Sequence, residues 1–360
     1  MRLDLSVPKM NAVGADGEDG PFWSPVREGA ERFLRRTAGK ALILSDGEAF
    51  SSLACAARLS RAVTVLWDGD ALALFALPEV GCVLASGGRE VLAAARFFAG
   101  VRRVPCMLFP REASLDGAYE ICARVRLSGE EREVGLADAE IIFDEELLAP
   151  SLGEGYARLL LSRLALFEAR AVGLICRRPF GGEAYERAFA ALDPVRGELP
   201  ARAVVEKNAL MRRLERDGVP VGEGRTLAEL YDGSSFAVLQ AQRALSALYY
   251  AFLRRGSPRR YAVPDYRARA AASQVSYAQL RIPDAAEYAS RALMLERVRG
   301  ELLAEILHLR SAHAAQLRAI RAYTRADLPA PDLSLLTRLP ELAPDGLCAV
   351  LRDYGLLEIL

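Results

Sequence analysis

Between Cys82 and Gly117 the chain sets out residue types whose spacing suits the holding of a phosphate. An apolar run, Cys82 to Ala85, meets Ser86-Gly87-Gly88, and a helical pattern follows from Arg89 to Ala99. A second apolar run, Val104 to Phe109, leads into the loop Pro110-Arg111-Glu112-Ala113-Ser114-Leu115-Asp116-Gly117. Glycines let backbone N–H groups approach an anion closely, and a helix N-terminus adds partial positive charge. Two adjacent glycines after a strand fit a plain strand-to-helix turn equally well. Arg89 in the first helical turn suits a phosphate partner or a solvated surface position. Asp116 suits a loop or cap role. Glu112 places a negative charge in the same loop.

The elements that must position these residues read as alternating strands and helices. Ser24 to Thr37 is helical in pattern, Lys40 to Ser45 is a buried parallel strand, Ala62 to Trp67 is a second strand, and Ala49 to Ser60 is helical. Ala139 to Phe143 is a further strand, and Tyr119 to Gly135 carries β segments about Ser128-Gly129. Such alternation predicts a parallel sheet covered on both faces, with ligands at the C-terminal strand ends. Asp46, Asp68, Ser86 and Pro110 all follow predicted strands and can share one crevice there. From Glu145 to Arg325 the periodicity is mainly helical, with segments at Ala157–Ala171, Gly181–Leu192, Pro200–Arg216, Thr226–Arg254, Ala268–Leu280 and Asp284–Tyr323. The predicted organisation is an N-terminal arm and helix over 1–37, an α/β nucleotide-binding domain over 38–148 and an α-helical domain over 149–360.

Composition limits the function classes. A chain of 360 residues with 52% apolar content can bury two cores. Acidic and basic residues balance at 47 each, which gives no basic excess for nucleic acid. No uncharged apolar run nears the ~18 residues of a membrane span. The first twenty residues lack an apolar signal core, so the expected compartment is the cytoplasm. Six scattered cysteines with no CxxC pair read as reduced thiols, several of them buried. His308 and His313 are the two histidines; five residues apart on a helix they point roughly 140° from each other and do not chelate. No Gly-x-Ser-x-Gly elbow, Gly-Lys-Ser/Thr phosphate loop or Cys/His cluster is present.

The detailed residues resemble the superfamily of dehydroquinate synthase, glycerol dehydrogenase and iron-containing alcohol dehydrogenases, and most of all its sn-glycerol-1-phosphate dehydrogenase branch. The family's Gly-Gly-Gly-Ser after a strand is matched by Ser86-Gly87-Gly88-Arg89, and its Pro-Thr-x-Ala-Ser-x-Asp-Gly loop by Pro110 to Gly117. Its strand, acidic turn and Ala-Pro are matched by Ala139 to Pro150, and its C-terminal Pro-Asp by Pro344-Asp345. The resemblance implies a dehydroquinate synthase-like fold with NAD or NADP on the first domain. It assigns cofactor contacts to Ser86, Gly87, Gly88, Arg89, Glu90, Arg111 and Ser114, and to Asp46 at the adenosine end. Asp116 matches the aspartate that positions substrate hydroxyls.

The same family uses zinc or iron, held by one Asp and two His, to polarise the carbonyl that accepts hydride. The matching positions here are Tyr156 after Gly155, Tyr266, and Arg299 before Gly300-Glu301. A phenol is a poor zinc ligand and a guanidinium cannot ligate. The expectation is a divergent glycerol-1-phosphate dehydrogenase-like protein, a pseudoenzyme without the metal site. It binds a nicotinamide nucleotide or a small phosphorylated or polyol ligand, with no nucleic-acid partner; a homo-oligomer stays open. The alternative is an active NAD(P)-dependent oxidoreductase reducing dihydroxyacetone phosphate or a related carbonyl, with Arg299 or a tyrosine in the metal's electrophilic role.

Overall fold

The structure, a computed structural model, describes residues 22–47, 53, 62–178, 182–192, 200–216, 218–219, 222–231, 235–255, 283–324 and 333–356. In chain order the strands are β1 (Phe22–Trp23), β2 (Ala41–Ser45), β3 (Ala62–Leu66), β4 (Cys82–Gly87), β5 (Cys106–Pro110), β6 (Cys122–Leu127), β7 (Glu130–Gly135) and β8 (Glu140–Phe143). The helices are α1 (Val26–Arg36), α2 (Arg89–Arg102), α3 (Glu145–Leu148), α4 (Leu152–Cys176), α5 (Glu183–Ala191), α6 (Ala201–Arg216), α7 (Glu223–Tyr231), α8 (Ser235–Arg254), α9 (Ala285–Thr324), α10 (Leu333–Leu342) and α11 (Leu347–Arg352). The expected helices at Ala49–Ser60 and Ala268–Leu280 lie outside the described residues.

Two compact units emerge, one of residues 1–155 and 200–216, the other of 156–199 and 217–360. The helix α6 belongs to the first unit, whereas a single cut at residue 148 puts it with the helical half. The reason is polar: Asn208 Nδ2 of α6 donates to the carbonyls of Ala113 and Gly155, each at 3.0 Å. Gly155 permits this closeness, since a Cβ there would stand 2.8 Å from both Ala113 Cβ and Val204 Cγ1.

The first unit is built on a six-stranded sheet of order β1-β8-β5-β4-β2-β3, in which every pairing is parallel. β2, β4 and β5 are buried at every residue, which is why they read as continuous apolar runs rather than alternating ones. The edge strand β3 is only half-buried. The N-terminal arm expected from sequence supplies the opposite edge through Phe22 and Trp23. β6 and β7 form a separate antiparallel hairpin. From β2 the chain adds β3 on one side and then β4 on the other. This is a topological switch point, where parallel sheets open a crevice at their C-terminal edge. In-register pairing of Ser45 with Ser86 and of Gly87 with Pro110 brings Asp46, Gly88 and Arg111 to that edge together.

The second unit is helical and closes around one apolar cluster that includes Phe167, Leu245, Tyr249, Leu295, Leu302, Ile306 and Leu351. Tyr288 and Tyr354 stack at 4.9 Å, and Tyr354 donates to the Tyr288 carbonyl at 2.9 Å. Among the described residues no helix is long and apolar enough to cross a membrane. Cys82, Cys106 and Cys348 are buried, whereas Cys122 is exposed; Cys55 lies outside the described residues.

Candidate functional site

The candidate cradle is the start of α2. Strand β4 runs on through Ser86 and Gly87, where the sequence reading expects a turn, and only Gly88 separates strand from helix. Ser86 is therefore fully buried, and its Oγ has no hydrogen-bond partner among the described residues. In this conformation its hydroxyl is not exposed to a ligand. Neither Gly87 nor Gly88 needs a left-handed backbone, and side chains crowd both. A Cβ on Gly87 would meet Asp46 Oδ2 at 2.8 Å, and a Cβ on Gly88 would meet Glu112 Oε1 at 2.3 Å.

Those two carboxylates hold the amides that open the helix. Asp46 Oδ2 accepts the Gly88 N–H at 3.2 Å, and the Arg89 N–H donates to the Glu112 carboxylate. The two arginines assigned to phosphate have partners of their own. Arg111 pairs with Asp46 at 3.3 Å and Arg89 with Glu120 at 3.5 Å. Glu90 is exposed. Burial, then the neighbouring Glu154 and Asp116 charges, push the Glu112 carboxyl up to about 7, against the opposing pull of Arg111 and the Arg89 amide. Burial also raises Glu154. Glu112, Glu154 and Arg111 line a groove of about 650 Å³ with Asp144, Glu146 and Arg27.

The loop from Pro110 to Gly117 is clamped from three directions. The Ala113 N–H donates to Ser151 Oγ, and that hydroxyl lies 2.8 Å from the Arg111 carbonyl. From α6, Arg212 Nε donates to the Ser114 carbonyl at 3.2 Å, and its guanidinium pairs with Asp116 at 2.9 Å and Glu215 at 2.6 Å. From α2, the buried Arg96 donates to the carbonyls of Ala137, Gly117 and Ala118 at 2.7 to 3.0 Å. Burial lowers its guanidinium to about 10. Asp116, expected to position substrate hydroxyls, thus has a buried arginine as its partner, and Ser114 is itself buried.

Gly117 sits at φ +81°, and a Cβ there would stand 2.6 Å from the Arg89 carbonyl oxygen. Gly117→Ala combines backbone strain with a clash against a helix start. It is expected to cost about 2–3 kcal/mol of unfolding free energy, measured by guanidinium denaturation; a loss below experimental error would show that the loop can re-form elsewhere.

The resemblance implies a dinucleotide on this cradle, and the geometry does not fit one as it stands. The Gly88 and Arg89 amides already have carboxylate acceptors, and four acidic groups (Asp46, Glu112, Asp116, Glu154) surround them. The positions implied for a metal do not fit one either. Tyr156 is buried at 2% exposure. Arg299 Nε donates to the Leu253 carbonyl at 2.8 Å, and its Nη2 donates to Phe252 at 3.3 Å, capping the C-terminal end of α8. Tyr266 lies outside the described residues. Among the described residues no group of three or more His, Cys, Asp and Glu side chains is placed to hold a metal ion. His308 is exposed, and the His313 side chain is outside the described set.

Sequence reading missed Glu154, Asn208, Arg212 and Arg96 as the residues around the cradle. Arg96 carried a visible signal, a lone cation in the apolar run Val91 to Ala99. The others lie on helices whose pattern says only that one face is buried. It also missed a cluster in the second unit. Tyr249 Oη lies 3.0 Å from Glu168 Oε1, 2.8 Å from Glu223 Oε2 and 3.3 Å from Cys348 Sγ, all of them buried.

No protein-family model matches the chain, and no curated protein matches it in sequence. Solved structures do match in fold. The probable glycerol dehydrogenase of Sinorhizobium meliloti is similar at a TM-score of 0.53 and 13% identity, over 94% of this chain and 95% of that one. The glycerol dehydrogenase of Schizosaccharomyces pombe gives 0.44 and 14% over 87% and 95%, and the maleylacetate reductase of a Rhizobium strain 0.45 and 16% over 92% and 95%. An α/β unit on a six-stranded parallel sheet with a helical region, similar along nearly its whole length to the Sinorhizobium structure, gives this chain the dehydroquinate synthase-like fold.

Proposed function

We propose that this chain is a divergent relative of the glycerol-1-phosphate dehydrogenase branch that has lost metal-dependent hydride transfer. It acts as a binding or regulatory protein for a nicotinamide nucleotide or another phosphorylated ligand. The observation that carries the loss is the position of Arg299. Its guanidinium is committed to the carbonyls of Phe252 and Leu253, so it neither ligates a metal nor stands free as an electrophile in its place. What supports ligand binding is the convergence of Asp46, Gly87, Gly88 and Arg111 at the C-terminal edge of the sheet, at the switch point between β2 and β4.

The test uses the purified full-length chain. Metal analysis after incubation with zinc or iron is expected to find no stoichiometric ion. NADH in the presence of dihydroxyacetone phosphate is expected to remain unoxidised, and calorimetric titration with NADH is expected to be saturable but weak. Stoichiometric metal together with steady NADH oxidation would make the chain a working dehydrogenase and end this reading.

A further inference from the structure

The amides at the start of α2 are where a phosphate would bind, and the chain has filled them with its own side chains. Glu112 reaches them from the loop after β5, and Asp46 from the end of β2. The two approach from different elements, and each stands against a different glycine: Asp46 against Gly87, Glu112 against Gly88. A carboxylate can accept two amide hydrogens and offset the helix dipole as a phosphate oxygen pair does, so it competes for the same donors. Charges facing Glu112 come from every neighbouring element. Arg111 and Asp116 flank it on its own loop, Glu154 faces it from α4, and Arg89 presents its backbone N–H from α2. The negative charges outnumber the positive, and Arg111 is itself paired to Asp46.

We infer that Glu112, with Asp46 beside it, is an internal anion seated on the phosphate-binding amides, and that an anionic ligand enters this cradle only by displacing it. The inference rests on the binding reading above and adds the regulation of that site. Asp46 is the fixed member, held by Arg111 and the Gly88 amide. Glu112 is the movable one, since it is half-buried and borders the open groove. Removing Glu112 vacates the Arg89 amide and relieves repulsion, while the ligand keeps Arg111 within reach.

The experiment compares the wild-type chain, Glu112→Ala and Glu112→Gln. Calorimetric titration with NADH and, separately, inorganic pyrophosphate measures affinity. Amide hydrogen exchange of the segment containing Arg89, without ligand, measures occupancy. Glu112→Ala is expected to bind both probes at least tenfold tighter than wild type, with Glu112→Gln in between because its neutral amide still fills the space. Exchange at Arg89 is expected to quicken in Glu112→Ala. Equal affinity in all three proteins overturns the inference and leaves the binding reading standing. No binding in any of them, with exchange quickened, overturns the binding reading and the gating with it. Unchanged exchange overturns the seating of Glu112 on the amide.

Discussion

Glu168→Ala is expected to lower the unfolding free energy by about 3 kcal/mol, whereas Glu168→Gln is expected to hold stability at pH 5 and to raise it increasingly from pH 6 to pH 8. The reason is a proton count at the buried cluster of the second unit. Tyr249 has one hydroxyl hydrogen and faces an oxygen of each of two carboxyl groups, Glu168 Oε1 and Glu223 Oε2. If it donates to one, the other must donate to it, so the pair holds a proton. Glu223 Oε2 accepts the Cys348 N–H at 2.9 Å, at the start of α11, and the Leu347 amide also favours its charged form. The proton therefore belongs on Glu168 Oε1. Its other oxygen accepts the Glu223 N–H at 2.8 Å, so Glu168 caps α7 while Glu223 caps α11.

Burial raises both groups, Glu168 well above the ordinary carboxylate range and Glu223 to about 7. A carboxyl whose folded value is raised contributes stability that is fully present below its unfolded value, near 4.3, and that is lost as pH rises through the folded value. Unfolding of the wild-type chain should therefore become easier from about pH 4.5 to beyond 7, by up to about 1.4 kcal/mol per pH unit for each proton retained. Glutamine reproduces the neutral arrangement, with its oxygen accepting from Glu223 N and its amide donating to Tyr249. It removes the Glu168 titration, so the curve of stability against pH becomes shallower, with the Glu223 contribution remaining. Guanidinium titrations at pH 5, 6, 7 and 8 decide the matter. A Glu168→Gln chain that keeps the wild-type slope would place the proton elsewhere.

The second large effect is expected at Arg212, which is 2% exposed. Arg212→Leu removes the partner of Asp116 and Glu215 and leaves the Ser114 carbonyl without its donor. Removing this buried guanidinium takes one partner from each of two carboxylates, here at a cost of about 2–3 kcal/mol. The loop from Pro110 to Gly117 should also exchange its amides faster, since α6 then loses its hold on Ser114 and Asp116. Asp116→Asn together with Arg212→Leu should cost less than the sum of the two single changes, because the Asp116–Arg212 pair is then lost once rather than counted twice. An additive double mutant, measured by denaturation, would show that the 2.9 Å pair carries no coupling.

The architecture of the first unit was written in the residues. Continuous apolar runs such as Ala41 to Leu44 demand burial on both faces, and the spacing between them leaves room for helices, so a parallel sheet follows from local physics. The hairpin about Ser128 and Gly129 was legible for a similar reason: both residues have positive φ, at +55° and +79°, in a polar turn between β segments. The order of motifs, from the strand before Gly87 to Asp116, was also readable, and it pointed to the fold that the Sinorhizobium structure shares.

What fills the cradle was not readable. Asp46 and Glu112 are 66 residues apart, and only the in-register pairing of β2, β4 and β5 carries both to the start of α2. The family resemblance assigns Ser86 to the cofactor; strand pairing to Ser45 draws its side chain into the sheet and buries it. The assignment of α6 to the first unit, the partner of Asp116 and the proton on Glu168 share this character. Each depends on which polar groups become neighbours once water is excluded. Hydrophobic periodicity is local and survives in the sequence, whereas the pairing of buried charges is long-range and exists only in the folded chain.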